Sequence, residues 1–355
     1  MTDLKRIAVV PGDGIGPEVI DAGLAMLKAA TEKRGRAFEW VHKDWGAEKW
    51  LREGVGIPEG GLKDLEENYD AVYFGALGDP RIPDMAHGRE ILLGMRFGLD
   101  LFVNMRPVEL VAAEFCPLKN KGPDEVNFIV FRENTEDLYV SVGGNFKKNT
   151  PDEVAVDESV HTRKGVERII RYAFEFAKSQ GRRKVTLGDK SNAVRFGGSL
   201  WQRTFKAVAA EYPNIDTDHF FVDVLAMELV RRPEHFDVIV TGNLFGDILS
   251  DLGAGLVGGL GLAASGNLHP GKIALFEPVH GSAPDIAGED KANPIAAALT
   301  GAMMMTYLGE NDIAQAIQES VQEVIAAREV TSDLGGALGT KAAGEALTQR
   351  VLGKL

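Results

Sequence analysis

Residues 6–30, RIAVVPGDGIGPEVIDAGLAMLKAA, decide the fold class. Ile7–Val10 form a short apolar run, as expected of a strand buried on both faces. Pro11, Gly12, Asp13 and Gly14 then break the run, and from about Pro17 the apolar residues recur at three- and four-residue intervals, the period of an amphipathic helix with proline in its first turn. The same strand-to-helix rhythm returns along the chain. DAVYFGAL (70–77), VNFIVFREN (126–134), KVTLGDKSNAV (184–194) and FDVIVTGN (236–243) read as strands ending in polar or glycine residues. RKGVERIIRYAFEFAKSQ (163–180), DVLAMELVRR (223–232) and PIAAALTGAMMMTYLG (294–309) read as helices. Alternating strands and helices predict an α/β fold with a largely parallel sheet, and in such sheets chemistry gathers at the carboxyl ends of the strands. Residues 140–160, VSVGGNFKKNTPDEVAVDESV, break the rhythm and predict either a β-hairpin arm or a plain surface loop.

At 355 residues the chain is long for one core, and two domains are expected. A formal net charge of −13 argues against a nucleic-acid surface, although it leaves room for local basic pockets that take small anions. The lone cysteine, Cys116, excludes an intrachain disulfide and any cysteine-based metal site. The N-terminal apolar run is too short for a signal peptide, and no window reaches the length of a membrane span, so a soluble, cytoplasmic protein is expected.

Three groups of residues can carry chemistry. Asp247 and Asp251 stand one helical turn apart in VIVTGNLFGDILSDLGAG (238–255), and Asp223 lies at another helix start. Like charges at that spacing repel on an exposed helix. Three carboxylates without Cys or His suit a hard cation, Mg²⁺ or Mn²⁺; alternatively Asp247 caps its helix and Asp251 is solvated. Arg96, Arg106 and Arg132 lie beside strand ends, where a guanidinium can grip a carboxylate or phosphate, though Arg132 could pair with Glu133 or Glu136 instead. Tyr139 and Lys190 follow strand patterns and could serve as proton donor and acceptor, or simply as core and solvated residues. GAGLVG (253–258) fits the dinucleotide fingerprint, but it follows a helical pattern rather than a strand, so its glycines read as close helix packing or a helix break.

PGDGIGPE, RENTEDLY, GDKSN, GNLFGDILSDLGAGLVGGLG and EPVHGSAPDIAGEDKANP, in that order over nearly the whole chain, resemble the isocitrate/isopropylmalate dehydrogenase family of metal-dependent β-decarboxylating dehydrogenases. The resemblance implies a two-domain fold with a large mixed, mostly parallel sheet flanked by helices, not a Rossmann fold. It implies a nucleotide-binding domain from residues 1–105 and 260–355, and a dimerisation domain from 106–259 with a β-arm near 140–160. Asp247 and Asp251 would bind Mg²⁺ or Mn²⁺ with Asp223 of a second subunit. Arg96, Arg106 and Arg132 would hold the malate carboxylates, Tyr139 would donate a proton, and Lys190, also from the second subunit, would deprotonate the hydroxyl. His280, Gly281, Ala283, Asp285, Ile286 and Asn293 match the loop that binds the adenosine half of NAD.

The implied activity is NAD-dependent oxidative decarboxylation of a 3-substituted malate by a homodimer with shared sites. The expected substrate is 3-isopropylmalate, ahead of D-malate, tartrate and homoisocitrate, since Leu92 and Leu93 fall where an alkyl group would be read. Arg89 departs from the pattern, standing where a glutamate is usual in the isopropylmalate members; it either admits a more polar substituent or points to solvent. The remaining alternatives are a non-catalytic regulatory subunit, which should lack Tyr139, Lys190 and the aspartates, and a Mg²⁺-dependent phosphotransferase, which would need a phosphate-cradling loop that the sequence does not show.

Overall fold

The computed structural model describes residues 4–355, which divide into two compact units. One unit comprises residues 4–101, 111–117 and 257–355, and the other comprises 102–110 and 118–256.

In the first unit five strands lie in the spatial order Phe38–His42, Lys5–Gly12, Ala71–Ala76, Ala274–Pro278, Ala264–Leu268. The first four run parallel, with Ile7 opposite Ala71 and Ala274 also opposite Ala71, while Ala264–Leu268 is antiparallel to its neighbour. The helix that follows the opening strand, Gly16–Lys33, buries Val19, Ile20, Leu24 and Leu27, the positions its periodicity marked. It packs against Ile295–Tyr307 and Thr340–Lys354. Tyr73, wholly buried on the third strand, donates its hydroxyl to the Ala297 carbonyl at 2.7 Å. Gly23 makes that contact possible, because a Cβ there would lie 2.1 Å from the Tyr73 oxygen.

In the second unit the order is Val103–Glu109, Asn127–Glu133, Val238–Thr241, Lys184–Asp189, Asp216–Phe221. Only Val103–Glu109 is antiparallel to its neighbour. Each unit is therefore built on mixed, mostly parallel strands flanked by helices, in agreement with the expected fold class. Helix Arg163–Ser179 begins where the Thr162 hydroxyl accepts the Gly165 amide at 3.0 Å, and it buries Val166, Ile169, Ile170, Ala173 and Phe174 along one face. Residues 140–160 contain an antiparallel hairpin of Gly143–Phe146 with Val154–Asp157, exposed throughout, with Phe146 at 66%.

Helix Asn243–Leu256 runs through the first four residues of GAGLVG. Gly253 packs so closely that a Cβ would lie 2.6 Å from Val108, and Gly258 and Gly259 leave the helix with φ of +107° and +101°. The glycines thus provide both close packing and a break. The segment HGREILLGMR is not one regular helix: an α-turn at Ala86–Gly88 passes into a π-turn at Arg89–Leu93 and back into an α-turn at Gly94–Gly98.

Candidate functional site

The second unit gathers two arginines, two aspartates and a tyrosine within hydrogen-bonding reach of one another. Arg132 ends the strand Asn127–Glu133 and is only 1% exposed. Its Nε donates to Asn243 Oδ1 at 2.9 Å and its Nη1 to Asp247 Oδ1. The Tyr139 ring lies 5.0 Å from its guanidinium, and the Tyr139 hydroxyl donates to Asp247 Oδ2 at 2.5 Å. The helix can approach this closely because residue 246 is glycine; a Cβ there would come within 2.5 Å of the Arg132 Cβ. Asp247 lies in the second turn of its helix, so it is not the helix cap that the sequence left open.

Arg106 is buried on the neighbouring strand and reaches the same helix. It donates Nε to Asn104 at 2.8 Å and Nη1 to the Ser250 hydroxyl at 2.9 Å, with Asp251 Oδ1 at 3.4 Å and Asp247 Oδ1 at 3.7 Å. One guanidinium therefore spans both aspartates and offsets the repulsion their spacing would cause. Burial nonetheless raises the Asp251 carboxyl above its ordinary value, with Arg106 opposing and Asp247 reinforcing the shift. Asn104 and Ser250 escaped the sequence reading. Both were marked by period: Asn104 is two residues before Arg106 on a strand, and Ser250 is three after Asp247 on a helix.

The two glutamates considered for Arg132 accept from other donors. Glu133 folds back to accept from the Thr135 amide and hydroxyl and from the Glu136 amide, each at 2.8 Å. Burial pushes its carboxyl up to about 7 despite those donors. Glu136 accepts instead from Thr162.

Lys190 follows the strand Lys184–Asp189, and its amine lies 2.7 Å from Asp223 Oδ1 in the first turn of helix Val222–Arg231. That contact holds the Asp223 carboxyl below its usual range. Among the described residues of one chain, no three His, Cys, Asp or Glu side chains come together as a metal cage.

In the first unit, Arg96 is buried and donates Nη2 to Glu277 Oε1 at 3.0 Å, while its buried Nε has no hydrogen-bond partner among the described residues. Asn267 also donates to that glutamate oxygen, at 2.8 Å. On the π-turn, Leu92 packs against the core cluster of its own unit, Leu93 is half-buried and Arg89 is exposed. Glu90 accepts from the Gly56 and Ile57 amides at 2.7 and 3.1 Å.

The loop after strand Ala274–Pro278 is held by backbone contacts. Ile15 N donates to the Ser282 carbonyl at 2.8 Å, and Gly14, at φ +56°, leaves room for that oxygen where a Cβ would clash. Gly281 is exposed and Ala283 takes a positive φ of 37°. His280 Nδ1 donates to the Gly281 carbonyl at 3.0 Å, which leaves Nε2 as the acceptor of a neutral ring. Burial lowers the His280 pKa, and Nε2 has no hydrogen-bond partner among the described residues. Asp285 is exposed and Ile286 half-buried. Asn293 is committed to structure at both ends: Oδ1 accepts the Ile295 amide at 3.0 Å and Nδ2 donates to Asp333 at 2.9 Å.

A family model described as isocitrate/isopropylmalate dehydrogenase matches residues 6–351. The chain belongs to the isocitrate/isopropylmalate dehydrogenase family. The resemblance carried by the motifs is thus borne out over almost the whole length, and with it a decarboxylating dehydrogenase. The 3-isopropylmalate dehydrogenase of Thermobifida fusca is 43% identical over 348 residues, covering 98% of this chain and 97% of that protein. The decarboxylating D-malate dehydrogenase of Escherichia coli is also 43% identical, over 361 residues, covering 99% and 100%. Among solved structures, isocitrate dehydrogenase from Methylococcus capsulatus superposes with a TM-score of 0.88 at 39% identity, over 98% of this chain and 99% of that one. Relatives of equal identity thus carry different substrate names within the isocitrate/isopropylmalate dehydrogenase family.

Proposed function

We propose that this protein is a cytoplasmic homodimeric enzyme that oxidises and decarboxylates a 3-substituted malate, 3-isopropylmalate first, using NAD⁺ and Mg²⁺ or Mn²⁺. The observation that carries this reading is the cluster of Arg106, Arg132, Tyr139, Asp247 and Asp251 in one unit, where cationic grips for carboxylates and a phenol meet two carboxylates with oxygen-only donor chemistry. Such donors fit a hard divalent cation. With Lys190 and Asp223 held together 2.7 Å apart, one partner chain can deliver both groups at once to the other's aspartates. For the nucleotide, the buried, unpartnered Nε2 of His280 and the exposed Asp285 suit an adenosine, His280 as acceptor and Asp285 as partner to a ribose hydroxyl.

When bound, the cation supplies Lewis acidity to the substrate hydroxyl and the developing enolate, and NAD⁺ supplies the hydride acceptor. Arg96, Arg106 and Arg132 bind the carboxylates through charge-assisted hydrogen bonds. Lys190 takes the proton of the C2 hydroxyl. The Tyr139 hydroxyl, already directed by Asp247, gives a proton to the carbon that loses CO₂. Leu93, half-buried on the π-turn, faces the alkyl substituent in this reading, and each methylene it helps bury contributes roughly 0.8 kcal/mol.

The test is a panel of 3-isopropylmalate, D-malate, tartrate, isocitrate and homoisocitrate with NAD⁺ and Mn²⁺. The highest kcat/KM is expected for 3-isopropylmalate. A higher value for D-malate or tartrate would overturn the substrate while leaving the residue roles in place.

A further inference from the structure

The turn that carries Tyr139 is short and conformationally costly. It is a single 3₁₀ turn, Leu138–Val140, flanked by two non-glycine residues in the left-handed region, Asp137 at φ +68° and Ser141 at φ +56°. Backbone of this kind persists only where surrounding contacts over-determine it. Those contacts converge on Asp137. Its amide donates to the Val160 carbonyl at 2.8 Å. Its Oδ2 accepts the Leu244 amide at 3.0 Å, satisfying one of the orphan donors at the start of helix Asn243–Leu256. Its Oδ1 accepts the Ser159 hydroxyl.

From Ser159 the connection continues. The Ser159 oxygen lies 2.8 Å from His161 Nε2, and Trp201 Nε1 donates to His161 Nδ1 at 3.3 Å, the two rings meeting edge to face. An indole nitrogen is only ever a donor, so His161 Nδ1 carries no proton. The His161 proton is then on Nε2 and points to Ser159, whose own proton points to Asp137. The polarity is set along the whole series, from Trp201 to His161 to Ser159 to Asp137. Trp201 sits on the helix Arg195–Ala209 that follows the Lys190 segment. With His161 it lines a cavity of about 20 Å³ that Lys190 and Gly242 also line, room for one water.

We infer that Asp137, Ser159 and His161 are positioning residues that hold the Tyr139 turn against the helix bearing Asp247 and Asp251, and tie both to the Lys190 segment. None of the three touches the groups that Tyr139, Asp247 and Lys190 would act on. Their effect is to keep the Tyr139 hydroxyl within 2.5 Å of Asp247, a residue 108 positions away in sequence. Any role in turnover rests on the function proposed above; the network itself does not.

Ser159→Ala removes the hydroxyl that bridges His161 and Asp137, whose Nε2 and Oδ1 lie 3.7 Å apart, while leaving the Asp137–Leu244 bond. It is expected to lower kcat on the preferred malate at least fivefold with KM for NAD⁺ unchanged within twofold, and to weaken Mn²⁺ binding by calorimetry at least threefold. Ser159→Thr, which keeps the hydroxyl, should restore both to within twofold. Ring ¹⁵N shifts of His161 should report one tautomer, protonated on Nε2, in the native dimer, and a mixture in Ser159→Ala and Trp201→Phe. Native kcat and Mn²⁺ affinity in Ser159→Ala, a Ser159→Thr variant as defective as Ser159→Ala, or a native His161 protonated on Nδ1 would each overturn the inference. A native protein that binds Mn²⁺ but turns over no malate would defeat the proposed function alone, and the Mn²⁺ and ¹⁵N measurements would still judge the network.

Discussion

Replacing Glu133 by glutamine should make the protein more stable at alkaline pH and not at acid pH. Glu133 is 1% exposed, and burial lifts its carboxyl from 4.5 to about 7. A carboxyl whose pKa is higher in the fold than in the unfolded chain stabilises the fold fully below the unfolded value. That contribution is lost as pH rises through the folded value. A shift of this size corresponds to about 3 kcal/mol, developed between roughly pH 4.5 and 7. Glutamine is neutral throughout and keeps one oxygen to accept from Thr135, but its amide nitrogen then faces the Glu136 N–H, a mismatch that costs about 1 kcal/mol at every pH. Relative to the native protein, Glu133→Gln is thus expected to be about 1 kcal/mol less stable near pH 4.5 and about 2 kcal/mol more stable at pH 8.5. Urea unfolding of both proteins across that range measures the difference, and groups that titrate alike in the two cancel. A difference that stays constant with pH would show that the donors from Thr135 and Glu136 outweigh burial and keep Glu133 ionised in the fold.

Asp251→Asn should weaken Mn²⁺ binding by calorimetry while leaving thermal stability nearly unchanged, because the side chain is more than half exposed and its ion pair is with Arg106 at 3.4 Å; undiminished affinity in both Asp251→Asn and Asp247→Asn would remove the metal assignment. Gly246→Ala should cost about 1–3 kcal/mol, since its Cβ would press on Arg132 at 2.5 Å, and should raise KM for the malate as that arginine shifts; a thermal midpoint and KM like the native ones would contradict the packing argument. Kinetics with the two nucleotides should favour NAD⁺ strongly, as the Asp285 carboxylate repels a 2′-phosphate; comparable kcat/KM with NADP⁺ would refute this. Mixing inactive Lys190→Ala with inactive Asp247→Asn should regain activity, because one site of the mixed dimer collects both defects and the other neither. Verified subunit exchange without recovery would mean that each site is built within one chain.

The fold was legible wherever one periodicity dominated. The run Ile7–Val10 and the spacing of Val19, Ile20, Leu24 and Leu27 needed no tertiary knowledge, and the structure places both as expected. The arginines were legible as residues beside strand ends and the aspartates by their helical spacing, but their pairing was not. Arg132 had carboxylates next to it in sequence at 133 and 136, yet it bonds Asp247, 115 positions away, because a strand end and a helix start meet there and Gly246 admits the approach. The π-turn at Arg89–Leu93 was hidden for a different reason. Its residues have no composition that distinguishes it from an α-helix, and only the hydrogen-bond ladder reveals the extra residue. Asn293 shows a third limit: its place in the nucleotide loop gave no sign that in the fold it accepts the Ile295 amide and donates to Asp333.

The π-turn makes chain length a variable beside Leu92 and Leu93. A π-turn accommodates one residue more than the α-helix it interrupts. Deleting a single residue within 89–93 would let the α-turns on either side join into one ordinary helix, the flanks keeping their register while the residues of the turn itself take new positions. Leu92 would then leave the core cluster or Arg89 would leave solvent, with every other residue identity unchanged. The surface around Leu92 and Leu93 can therefore be recut by an insertion or deletion as readily as by a substitution, and a comparison of residues by type alone would overlook it.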